Sequence, residues 1–352
     1  MDSQATVHRG WSSFRRAVRQ ALWRNRLLLA AVTVHFAAAH VIARSLGQPF
    51  TSGAMDIIVT VAQIFLPFFL IAVVVARFLH MAIRVRPEKP VQWLLRDLRA
   101  TVLDMDRIVN GIVAFGAVAV MAGAFTFVKD QIPLIVPFSW DPAFAALDRT
   151  LHGGHDPWRL LLPVLGTPLR TTAVNAVYNA WFFVMFFVVL VACFGKPGRR
   201  DHTAFLLAFV LTWAIAGNLL AILLSSAGPV YYAALGYGDH FQPQMDMLHD
   251  FARTSPVWAL DVQRMLLEGY QSDGPVRGIS AMPSLHVASS VIMALYGFSL
   301  GRWVGWLLTA FAACILIGSV HLAWHYAVDG YLAILVAAPI WYASRWLVRR
   351  MR

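Results

Sequence analysis

Trp181-Phe182-Phe183-Val184-Met185-Phe186-Phe187-Val188-Val189-Leu190-Val191-Ala192-Cys193-Phe194, followed by Gly195-Lys196-Pro197-Gly198-Arg199-Arg200, is the stretch on which the fold turns. The apolar run reaches back to Thr171 without an Asp, Glu, Lys or Arg. A run of about 20 such residues is long enough to cross a bilayer as a helix. The tight basic turn that ends it reads as a cytoplasmic connection.

The same pattern recurs on both sides of this stretch. Eight spans are expected, at residues 27–43, 56–80, 108–128, 171–194, 203–225, 284–300, 303–321 and 327–344. Of 352 residues, 59% are hydrophobic and only 13% charged, about half the charged share of a soluble domain. The expected fold is therefore all-α, a polytopic membrane helix bundle, with no separate soluble domain and no cleavable signal. Cys193 and Cys314 both lie in apolar runs and read as small packing residues, not a disulfide.

The net charge of +11 raises the possibility of nucleic acid. The positions exclude it, because the basic residues gather at the ends of apolar segments. With the N-terminus inside, 20 of the 29 Lys and Arg residues fall in segments placed inside and 8 in segments placed outside. That bias sets orientation in the membrane. Arg77, near the end of the second span, is expected to reach toward water. Residues 1–26 interleave Arg15, Arg16 and Arg19 with Phe14, Val18 and Leu22. They read as an amphipathic helix on an anionic leaflet, or simply as a topology anchor. Two outer segments, 129–160 and 226–283, are long enough that short helices roofing a site are expected in them.

Ionisable groups at the edge of a bilayer are costly and mark working sites. Ser284 and His286 fall at the outer end of span six, His321 and His325 around the end of span seven, and Asp329 at the start of span eight. His325 and Asp329 are four residues apart, so a helix would put them on one face. A histidine held by a carboxylate can attack phosphorus or accept a proton, and His286 can supply the proton a leaving group needs. His321, four residues before His325, fits a phosphate or backbone contact and also the spacing of a metal pair. Ser284 fits a phosphate donor or a helix cap. Tyr231, after span five, fits a headgroup pocket or an interfacial aromatic belt.

Pro283-Ser284-Leu285-His286, with His325 and Asp329 beyond it, resembles the type 2 phosphatidic acid phosphatase superfamily. Ala281-Met282-Pro283-Ser284-Leu285-His286 and His325-Tyr326-Ala327-Val328-Asp329 are most similar to the branch containing inositol phosphorylceramide synthase. The lipid phosphatases usually have glycine where Leu285 stands. The motifs cover about residues 277–331, and the multispan layout extends the similarity loosely over 105–345. The resemblance implies a catalytic core in the C-terminal half. His325 would be the nucleophile, forming a phosphohistidine; Asp329 would hold its ring; His286 would be the acid and base. It implies no metal and no cofactor.

Two departures from the family pattern set the expected substrate. A Ser-Arg pair precedes the nucleophilic histidine by seven and six residues in the phosphatases, and Gly318 and Ser319 stand there instead. The family's other signature is a lysine, six residues, then Arg-Pro. The chain's single Arg-Pro, Arg86-Pro87, has Leu79 at the lysine position and lies on the wrong face. Missing cations weaken binding of a dianionic phosphomonoester more than of a singly charged diester. Arg277 is the expected replacement cation.

The expectation is an integral enzyme of the cytoplasmic membrane, multi-pass, with its site on the extracytoplasmic side. It would transfer a phospholipid headgroup, with a lipid phosphate phosphatase as the alternative and a solute transporter as the reading of another class. The expected parts are a basic segment (1–26), a helical hairpin (27–104), the phosphotransferase-like membrane domain (105–345) and a basic tail (346–352). The partners expected are a lipid substrate and the membrane; the sequence does not fix an oligomeric state.

Overall fold

The computed structural model describes residues 2–272 and 278–351, with side chains from residue 13 onward. Every regular element among the described residues is helical. In chain order they are α1 (Asp2–Arg24), α2 (Arg26–Ser45), α3 (Ala54–Val85), α4 (Pro90–Val102), α5 (Met105–Ile135), α6 (Asp141–Leu151), α7 (Pro157–Leu165) and α8 (Pro168–Cys193, broken at Ala180). There follow α9 (Arg200–Leu223), α10 (Gln242–Ala252), α11 (Ala259–Gln271), α12 (Leu285–Leu300), α13 (Arg302–His321) and α14 (Ala327–Arg350).

Seven of these, α2, α3, α5, α8, α9, α13 and α14, are long and apolar enough to cross a membrane. The eighth expected span is α12, an apolar helix of 16 residues. At 1.5 Å per residue it is about 24 Å long, short of a hydrocarbon core of about 30 Å. It packs against α13, α14 and α9, inside the bundle. Its hairpin with α13 is tight: a Cβ added at Gly297 would lie 3.1 Å from the Gly305 Cα. Only small residues let two backbones come that close.

α5 is a central support, buried along most of its length and flanked by α1, α2 and α3. Asp104 caps its start, accepting from the Arg107 N–H at 3.2 Å, which satisfies one of the free amides of the first turn. α5 continues to Ile135, beyond the expected end of the third span. Lys129 and Asp130 therefore sit on a helix and not in a loop. α1 docks on α5 through Ala17, Ala21 and Val109, and leaves Trp23 exposed. α3 carries most of its side chains on the outside, as a helix facing lipid does. Arg77 on α3 is a third exposed and also has a charged partner. It makes two 2.5 Å bonds to the Asp97 carboxylate on α4.

The two long segments at the other end of the bundle are built from α6, α7, a short 3-10 turn (Pro229–Tyr231), α10 and α11, so the expectation of short helices there holds.

Candidate active site

The site is organised by the turn between α13 and α14. α13 stops at His321, and Ala323 adopts a left-handed φ of 62°. The N–H groups of Trp324 and His325 both donate to the Ser319 carbonyl, at 3.0 and 3.1 Å. The Ala323 carbonyl accepts from Val230 N–H at 3.0 Å, which ties the turn to the segment after α9. That approach requires glycine at position 228. Its φ is 100°, and a Cβ there would lie 2.5 Å from the Trp324 carbonyl oxygen.

His325 precedes α14 and is not part of a helix, so it and Asp329 do not meet as neighbours on one helix face. They meet because the Asp329 carboxylate, in the first turn, reaches back over the helix start. Its Oδ2 accepts from Tyr326 N–H at 3.1 Å and lies 3.1 Å from His325 Nδ1. Among the described residues Oδ1 of Asp329 is buried with no hydrogen-bond partner. With the Nδ1–H assigned to the Asp329 bond, Nε2 carries the free lone pair. Burial, and after it the Lys129 charge, depresses the His325 imidazole to about 3, against a contrary pull from the Ala281 carbonyl. The ring is therefore neutral near pH 7, the form a nucleophile needs.

His286 lies in the first turn of α12, with its ring centroid 6.5 Å from that of His325. It is stacked on Tyr178 at 4.9 Å and tilted against Trp181 at 4.2 Å. These two rings flank the break in α8 at Ala180 and, three residues apart, share one helix face. The Ser284 N–H donates to the Asp329 backbone carbonyl at 3.1 Å, joining the starts of α12 and α14.

His286 and His325 open into one cavity of about 500 Å³, lined also by Lys129, Asn179, Ser280 and Tyr231. Lys129 is the residue that the sequence reading missed. It is the single Lys or Arg among the described residues that line the cavity. Its signal was present: Lys129 is followed by six residues and then Val136-Pro137, the lysine signature with valine in place of arginine.

The other expected site residues divide. Tyr231 lines the cavity and donates its hydroxyl to the Gln263 carbonyl at 3.2 Å. Ser284 is buried, and its Oγ accepts from Val287 N–H at 3.5 Å; it caps α12 and does not line the cavity. His321 is fully buried, with Nε2 2.9 Å from Thr171 Oγ1. It does not line the cavity. The helix ends at His321, so the four-residue spacing to His325 no longer places the two rings on one face. Arg277 lies outside the described residues.

A family model described as the PAP2 superfamily matches residues 142–343, more than half of the chain. No curated protein and no solved structure matches it.

Proposed function

The chain belongs to the PAP2 superfamily, and we propose that this membrane-embedded phosphatase or phosphotransferase carries out headgroup transfer from a phospholipid diester at the extracytoplasmic face. In the first step Nε2 of His325 attacks phosphorus. The bond from phosphorus to the lipid alcohol oxygen breaks, and protonated His286 gives its proton to that leaving oxygen. The phosphoryl headgroup stays on His325. In the second step an acceptor alcohol gives its proton to His286, and its oxygen attacks the phosphohistidine, restoring both rings. A centroid separation of 6.5 Å leaves room for phosphorus between them. Asp329 supports the positive charge that His325 gains.

The observation that carries the choice of a diester is that Lys129 is the one Lys or Arg among the described residues lining the cavity. Asp130 lines the cavity beside it, so the described lining offers little positive charge, which suits a singly charged phosphodiester better than a phosphomonoester that near pH 7 carries nearly two. In one detergent micelle, a glycerophospholipid with an intact headgroup is expected to be consumed faster than phosphatidic acid, with products identified by mass spectrometry. Lys129→Met should lower kcat/KM for the diester by roughly a hundredfold. A clear preference for phosphatidic acid, with free phosphate released, identifies a phosphatase instead.

The sidedness rests on the charge bias of the connections. In a Cys314→Ala background, His155→Cys sits in the exposed turn between α6 and α7, and Lys196→Cys in the exposed turn before α9. An impermeant thiol reagent added to intact cells is expected to label the first and spare the second. The reverse pattern would turn the enzyme over in the membrane.

A further inference from the structure

Helix α6 contributes two carboxylates that no catalytic step uses. Asp141 is fully buried and Asp148 is 4% exposed. They are seven residues apart, two helical turns, so both lie on one face of α6. Burying a carboxylate is costly unless hydrogen bonds compensate. Here the hydrogen bonds from outside α6 come from the catalytic turn and the segment that braces it.

Asp148 accepts from Ala327 N–H at 2.8 Å and Val328 N–H at 2.9 Å, the first two amides of α14. Asp141 accepts from the Tyr326 hydroxyl at 2.9 Å. It also takes Ala227 N–H at 2.9 Å and Gly228 N–H at 2.8 Å, in the segment that bonds the Ala323 carbonyl through Val230. The residue that normally caps a helix start with its own side chain is here Tyr326, whose hydroxyl goes to Asp141. The start of α14 is thus fixed by another helix, about 180 residues earlier in the chain. His325 lies between the contacts: Ala323 before it, Tyr326, Ala327 and Val328 after it.

We propose that Asp148 and Asp141 are positioning residues for His325, gripping the turn so that Nε2 stays aligned with phosphorus. The proposal rests on His325 being the nucleophile. A second consequence follows from the same bonds. Free amides at a helix start often bind phosphate, but Asp148 occupies the first two of α14, so among the described residues lining the cavity Lys129 is the Lys or Arg left to meet that charge.

The test uses full-length purified protein, with kcat and KM measured on the lipid donor that wild type consumes. Capture of radioactive phosphorus on His325 and thermal unfolding are followed in parallel. Asp148→Ala is expected to lower kcat by about a hundredfold, the usual effect of misplacing a reacting group by about 1 Å, with KM little changed. Asp148→Asn retains one acceptor oxygen and should recover about tenfold of that loss. Asp104→Ala, which removes a cap at the opposite end of the bundle, should lower thermal stability and leave kcat per folded molecule unchanged. Should Asp148→Ala fail to fold, Tyr326→Phe decides, since it removes only the hydroxyl bond to Asp141; about a tenfold lower kcat is expected. Wild-type kcat in Asp148→Ala, or in Tyr326→Phe where that variant decides, overturns the proposal. So does a fall in KM and kcat that merely tracks lost folded protein. No label on wild-type His325 would remove the nucleophile itself; label forming at the wild-type rate in Asp148→Ala removes only the positioning role.

Discussion

His325→Ala is expected to lower kcat by roughly four to six orders of magnitude, the scale seen when a covalent nucleophile is deleted. Alanine has no atom that can reach phosphorus, and the second histidine cannot replace it. His286 is wedged between Tyr178 and Trp181, so its ring is not free to swing into the place of attack. The fold should tolerate the change, because His325 donates its backbone N–H to Ser319 whatever its side chain. The check is kcat on the preferred lipid together with trapping of radioactive phosphorus on the protein. Turnover within tenfold of wild type would rule out the phosphohistidine route.

Asp329→Asn is expected to cost roughly 10³ to 10⁴ in kcat while the protein remains folded. The amide oxygen of asparagine can still accept from Tyr326 N–H, so the start of α14 survives. What is lost is the negative charge 3.1 Å from His325 Nδ1. That charge fixes which ring nitrogen carries the proton, and it offsets the positive charge that appears when Nε2 bonds phosphorus. The effect should therefore fall on kcat far more than on KM, and the unfolding temperature should stay near wild type. An Asp329→Asn enzyme with ordinary kcat would mean that the carboxylate serves only as a helix cap.

The bundle was legible in the sequence because a membrane helix must satisfy its own backbone and so announces itself by an unbroken apolar run. α12 was legible as apolar and already as short, since the expected span 284–300 differs from the observed helix by one residue. The meeting of His325 with Asp329 was legible from spacing, though by a different route, since one of the two stands outside the helix. That difference explains His321. The same four-residue rule fails when the helix stops and Ala323 turns left-handed. Lys129 escaped because Val136 breaks the familiar signature and because α5 runs past the point where hydropathy falls. Asp141 and Asp148 escaped for a deeper reason. Their partners are backbone amides about 85 and 180 residues away, and such pairings leave no periodic trace.

The length of α12 has a consequence for the fate of the proposed phosphohistidine. A helix about 24 Å long spans a hydrocarbon layer of about 30 Å only where the layer thins around it; otherwise an end stops short of the surface. In the second case His286, in the first turn of α12, would on the proposed route work beneath the headgroup plane. Water is scarce at that depth, whereas alcohols carried on lipid anchors are concentrated in two dimensions. Competition for the proposed intermediate would then be a partition between a depleted small molecule and an enriched membrane resident. A thicker bilayer would deepen the depletion and a thinner one relieve it, so on the proposed route the ratio of hydrolysis to transfer would be a property of the enzyme and its membrane together.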